Sequence, residues 1–238
     1  AMPTLSFHFM AWALVGGLAQ IGATFLLVYL FSFRNFAVGT AYSRTEPAQA
    51  AFFGLLLLGE SASAGVFTAI AISVLGVMLI SVAHVELGWR NLVASLFARN
   101  ALIGLTSGAM FGVAAVAYRA ASLNLGGPNF MMQASVTLAV VISLQTAIML
   151  GWMVWKEPSE LARIRRAWKP SLFTGVTGAS ASFGWFMAMT LQQAALVKSL
   201  AQIEMLFTFA ASVFYFKERI NRLEVAGCLL IVLGILLL

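Results

Sequence analysis

Charge is what this sequence has least of. Only 9% of its 238 residues are Asp, Glu, Lys or Arg, against 61% hydrophobic; the charged share is about a third of that in an ordinary soluble domain. A chain so poor in charge cannot cover a core with a water-facing surface. Aspartate is missing altogether, and all eight acidic residues are Glu. The single cysteine, Cys228, excludes a disulfide within the chain and a cysteine-based metal cluster, and its apolar neighbours suit a packed, inert thiol. The two histidines, His8 and His84, are read as lying outside the helices with no second histidine at ligand spacing, so no metal is assigned. Nucleophile elbow, phosphate loop and metalloprotease motifs are also missing. No catalytic residue is assigned, and the chain is not expected to be an enzyme. Residues 1–10 carry no basic region ahead of an apolar stretch, so no signal peptide is read and the first membrane helix is expected to do the targeting.

Long apolar runs are present instead. Charge-free stretches cover 12–33, 61–83, 100–118, 120–155 and 170–197, and roughly 20 residues suffice to cross a bilayer as a helix. The net charge of +6 does not indicate nucleic acid, because the basic residues occupy short loops between apolar blocks rather than one face of a helix. Apolar blocks set against breakers predict an all-α, polytopic membrane bundle of eight transmembrane helices, at about 12–33, 36–58, 62–83, 101–121, 129–154, 171–191, 195–216 and 221–238. Two polar stretches, 84–100 and 156–169, read as true loops.

The chain also echoes itself. A shift of 158 residues carries Gly17, Ala23, Phe25, Ala37, Glu46, Glu60, Leu75 and Gly76 onto Gly175, Ala181, Phe183, Ala195, Glu204, Glu218, Leu233 and Gly234. Apolar matches arise by chance in such a composition. The glutamates do not, since Glu46 and Glu60 reappear as Glu204 and Glu218 at the same spacing. The organisation expected is an incomplete first repeat of three helices over 11–83, a connecting loop over 84–100, and a second repeat of five helices over 101–238. Five-helix units cross the membrane an odd number of times, so two in tandem are oppositely oriented, and a binding site is expected between them. On that basis the first repeat lacks two helices and a loop about as long as 101–170, the alternative being a natural eight-helix protein.

The segment EPAQAAFFGLLLLGE at 46–60, followed by AISVLGVMLI at 71–80, and its echo EMLFTFAASVFYFKE at 204–218, followed by LLIVLGILLL at 229–238, resemble the drug/metabolite transporter superfamily, in particular its EamA-type branch. The resemblance implies ten helices in two inverted five-helix repeats around a central cavity. In this chain the spans 12–33, 36–58, 101–121, 171–191 and 195–216 would line that cavity.

Glu46 and Glu204 fall inside apolar spans, where an ionised carboxylate facing lipid costs roughly 2.5 to 3.5 kcal/mol. They are expected to face protein or water, either binding a cationic substrate group and carrying a coupling proton or forming an ion pair with Arg44 or Lys198 that fixes helix register. Arg44 could pair with a substrate carboxylate or reach for the interface, and Lys198 reads as snorkelling. Tyr42 and Gln202, sequence neighbours of the two glutamates, are expected to orient substrate, with Gln20 and Trp185 as further polar or aromatic lining and Gln133 as interhelical glue or lining. Pro47 is expected to kink its helix beside Glu46. Glu60 and Glu218 are expected to accept from the first amides of the following helices, and the four-residue repeat of Gly104, Gly108 and Gly112 to mark close packing.

These residues predict a multi-pass inner-membrane secondary transporter, an exporter or exchanger of small metabolites such as amino acids that works by alternating access. No cofactor is expected beyond proton coupling. The partners are a small-molecule substrate and the bilayer, with no nucleic acid, and a homodimer is compatible with this reading. The alternative is a non-transporting membrane subunit whose helices bind partners. Orientation stays open: Arg119 and Lys198 stand against eleven cations on the opposite face, which places both termini outside, whereas the family resemblance places them in the cytoplasm.

Overall fold

The computed structural model describes residues 4–33, 42–61, 63–82, 99–127, 129–215 and 222–237. Every regular element among them is helical: α1 (Phe7–Leu30), α2 (Glu46–Leu58), α3 (Ala64–Val82), α4 (Arg99–Asn124), α5 (Phe130–Lys156), α6 (Pro158–Arg166), α7 (Trp168–Leu191), α8 (Ala194–Leu200), a 3-10 turn (Ala201–Ile203), α9 (Glu204–Phe214) and α10 (Arg222–Leu236). Helices are what such a sequence must form, because a backbone in hydrocarbon has to satisfy its own hydrogen bonds. Hydroxyls follow the same rule. Thr24, Thr106, Thr177 and Ser180 each donate to the carbonyl four residues earlier, which lets a polar side chain sit in an apolar helix.

Among the described residues, four helical stretches are long and apolar enough to cross a membrane: Phe7–Leu30, Arg99–Asn124, Phe130–Lys156 and Ala194–Ala211. Glu46–Leu58 and Ala64–Ile80 are apolar but shorter. Several sequence expectations need correction. His8 lies within α1 rather than ahead of it. The polar stretch 156–169 is no loop, since its middle forms α6, started by Pro158 in the first turn, where a missing N–H costs nothing. Residues 34–41, 83–98 and 216–221, and with them His84 and Glu218, lie outside the described residues.

The chain forms two compact units, Ala1–Leu18 with Ala117–Gln192, and Ala19–Val116 with Gln193–Leu238. In the first, α5 packs along α7. Tyr118 anchors this unit: its hydroxyl donates to the Gly16 carbonyl at 3.0 Å, its ring stacks on Phe186 at 4.7 Å, and Gln145 Nε2 donates to it at 3.2 Å. Arg119 closes the C-terminal end of α7 by donating to the carbonyls of Met189, Thr190 and Gln192. The turn between α4 and α5 uses Gly126 and Gly127 at positive φ. Gln133, buried, donates to both of their carbonyls at 2.9 Å, which makes it glue rather than lining.

In the second unit the most extensive helix pairing is α3 with α10. Glycines bring the two backbones together: a methyl on Gly76 would stand 2.6 Å from the Gly227 carbonyl oxygen and 2.9 Å from the Ile231 amide nitrogen. A methyl on Gly234 would stand 2.8 Å from the Ala69 carbonyl oxygen and 2.9 Å from the Ser73 amide nitrogen. The 158-residue shift carries Gly76 onto Gly234, Ala69 onto Gly227 and Ser73 onto Ile231, so the two sets of contacts exchange under it. The same economy of side chains joins α4 to its neighbours. Gly108 lies against the Ser43 backbone and Gly112 against Ala50, as the glycine spacing on α4 predicts, and Ser107 donates to the Ala23 carbonyl at 2.9 Å.

Candidate functional site

The site builds up from two interrupted helices of the second unit. Tyr42 and Ser43 are helical, Arg44 and Thr45 form a turn, and α2 starts afresh at Glu46 with Pro47 in its first turn. Pro47 therefore does not kink a continuous helix as the sequence suggested. It opens a new one, at a position where no amide donor is required. Thr45 consolidates the break, with its hydroxyl donating to the Tyr42 carbonyl at 2.7 Å and accepting from Gln49 Nε2 at 2.7 Å. At its far end α2 closes on Gly59, whose φ of 65° is the left-handed region a glycine adopts freely. Ser63 Oγ accepts from the Val66 amide at the start of α3, and the Glu60 side chain folds back against Gly54.

The second interruption lies 158 residues later. α8 tightens into the 3-10 turn Ala201–Ile203, and α9 begins at Glu204. Both matched helices thus begin at their matched glutamate, and at Glu46, which follows a turn, the positive end of the α2 dipole favours the carboxylate. No proline or glycine announces the second break, so sequence alone read 195–216 as one uninterrupted span.

Each glutamate is met by a cation from the other interrupted segment. Arg44 forms an ion pair with Glu204 through Nη1 and Oε1, and Lys198 Nζ lies 2.7 Å from Glu46 Oε1. Lys198 therefore does not snorkel. It is the counter-ion of Glu46, held there by the packing of α8 on α2. The two pairs differ in solvation: the side chains of Glu46 and Lys198 are 19% and 20% exposed, those of Glu204 and Arg44 55% and 40%.

Among the other residues singled out from sequence, Gln202 belongs to the 3-10 turn and is buried. Neither its amide nitrogen nor its oxygen finds a hydrogen-bond partner among the described residues. Tyr42 is buried, packed with Ala101, Met78 and Leu105. Gln20 is half-buried on α1 in the second unit, and Trp185 half-buried on α7 in the first. Gln49 and Ser199 escaped the sequence analysis. The available signal was their spacing, since Gln49 sits one turn after Glu46 and Ser199 directly follows Lys198.

No curated protein matches this chain. The family model described as EamA-like transporter family matches residues 99–238, from the first residue of α4 onward and over more than half of the chain. Apolar helices that interrupt themselves at paired charges fit that family's membrane setting. The chain is a multi-pass membrane protein and belongs to the EamA-like transporter family.

Proposed function

We propose that this protein is a secondary carrier of small zwitterionic metabolites such as amino acids, working by alternating access with Glu46, Glu204, Arg44 and Lys198 at its site. The observation that carries this reading is the crossed ion pairing at two helix breaks matched by the 158-residue shift. A substrate ammonium competes with Lys198 or Arg44 for a glutamate, and its carboxylate takes the cation so released, through the forked geometry a guanidinium offers. Such exchange loosens contacts joining one repeat to the other, which is what a rocking carrier requires of its substrate. Proton coupling, in this reading, runs through the same carboxylates.

The contacts of α3 and α10, which exchange under the same shift, support two repeats related by a two-fold axis. The eight-helix count, export or exchange as the direction, inner-membrane residence and a homodimeric state belong to this reading. Gln202 is the natural neighbour of the charged groups, while Tyr42 and Gln20, of the same unit, complete the lining in the proposal.

Counterflow of labelled amino acids in proteoliposomes tests it. Glu46→Gln and Glu204→Gln should each abolish exchange or remove its dependence on a proton gradient. Undiminished counterflow in both variants sinks the assignment, and a wild-type protein that neither binds nor moves any zwitterion leaves the non-transporting subunit as the better reading.

A further inference from the structure

Six buried side-chain polar atoms have no hydrogen-bond partner among the described residues, and five of them lie on the facing segments α2 and α8 with its 3-10 turn: Glu46 Oε1, Gln49 Oε1, Ser199 Oγ, and Gln202 Nε2 and Oε1. The sixth, Ser73 Oγ, stands apart on α3. Glu46 Oε1 has the Lys198 ammonium as its ionic partner. The other four are uncharged, and a buried polar atom left unsatisfied has given up its bonds to water with nothing in return. Natural proteins keep few of these, so a concentration of them calls for a reason.

Their placement follows from helical spacing. Glu46 and Gln49 are three residues apart on α2, and Ser199 and Gln202 three apart on the segment that packs against it, so each pair shares one face. The Lys198–Glu46 ion pair joins those two segments at the same level. Gln49 is oriented by its own bond to Thr45 Oγ1, which leaves its carbonyl oxygen as the group on offer. The contrast with the first unit is direct. There the buried or half-buried Gln133 and Gln145 spend their amides on Gly126, Gly127, Gly17 and Tyr118, as glutamines that serve as glue do.

From this we infer that Gln49, Ser199 and Gln202 form a hydrogen-bonding subsite beside the Glu46–Lys198 pair, built for the uncharged polar end of a zwitterionic substrate. The inference rests on the carrier reading above and narrows its substrate class. The subsite offers an amide donor, two carbonyl acceptors and a hydroxyl that does either. That set complements a carboxamide or hydroxyl side chain. An aliphatic side chain there would leave the same atoms unpaired, and sites built to bond a polar group reject the analogue lacking it.

Two measurements test the subsite. In counterflow with the full chain in proteoliposomes, asparagine and serine should be preferred over valine and alanine by about tenfold or more, the equivalent of about one hydrogen bond. The double variant Ser199→Ala with Gln202→Leu should erase that preference, bringing asparagine and serine exchange down to the level of alanine and valine in the same variant. In substrate-free thermal unfolding the same variant should hold or raise the melting temperature, since it removes unsatisfied atoms; a role as helix glue would lower it. Exchange of all these amino acids without discrimination, or a fall in melting temperature, overturns the subsite and leaves the carrier reading standing. Absence of any zwitterion exchange, with Glu46→Gln indistinguishable from wild type, overturns both.

Discussion

The 158-residue shift relates α3 to α10 and α2 to α9, and the protein uses the two pairs in opposite ways. At α3 and α10, glycine lies against backbone with no side chain between, an arrangement that gains dispersion contact where lipid supplies no hydrophobic drive. At the start of α2 and in α8 with the 3-10 turn ahead of α9, the helices are interrupted and charged and carry buried polar atoms with no hydrogen-bond partner among the described residues. One pair gives rigidity; the other, in the carrier reading, gives chemistry. The comparison teaches that a repeat can carry its stabilising contact and its binding groups on successive helices, so that disturbing one need not remove the other.

The sharpest way to break this contrast is at the glycines. Gly76→Val or Gly234→Val should destabilise by about 3 kcal/mol, because the new side chain meets a backbone carbonyl and a backbone amide as well as the Ile231 or Ser73 side chain, and the backbone cannot give way. Denaturant unfolding in detergent measures it. Gly178, which has nothing within 4 Å of its missing methyl, supplies the control: Gly178→Val should stay within about 1 kcal/mol of wild type. Equal losses at Gly76 and Gly178 would remove the basis for calling the α3–α10 contact structural.

The charged pairs come next, and they separate by solvation. Lys198→Met leaves the Glu46 carboxylate mostly buried without its counter-ion, with an expected loss of about 3 kcal/mol. Adding Glu46→Gln should recover most of it, which a double-mutant cycle reads directly. Arg44→Gln or Glu204→Gln breaks a pair whose side chains are about half exposed; with that exposure facing a water-filled cavity, as the carrier reading has it, screening leaves less than about 1 kcal/mol of stability to lose. Exchange activity should nonetheless fall in these three single variants and in Glu46→Gln alone. If the Arg44 variant proves as unstable as the Lys198 variant, the exposed pair is structural too. The smallest expected effect is that of Ser199→Ala alone, at or slightly above wild-type stability, measured in the same unfolding assay.

Much of this was legible beforehand, for identifiable reasons. Run length marks membrane helices because hydrocarbon admits so few alternatives, and the glutamate spacing stood out against a composition nearly devoid of acid. The break before α2 was half legible, since Pro47 signalled a disturbance but not that a new helix would start there. The break before α9 was not, because Ala201, Gln202 and Ile203 contain no breaker and their tightening into a 3-10 turn is a tertiary outcome. Helix α6 was hidden by its charge, which reads as loop wherever apolar periodicity is the main signal.

Lys198 marks the boundary between the two kinds of knowledge. Its sequence allowed snorkelling and pairing alike, as a flexible four-carbon stem reaches either the interface or a carboxylate. Sequence by itself determined that the chain lives in lipid, that its acids are few and that two of them recur at matched positions. Tertiary structure alone decided which cation meets which glutamate and which polar atoms are left unsatisfied. Those outcomes depend on how α2 and α8 face one another across more than a hundred residues of chain, and local sequence does not encode that.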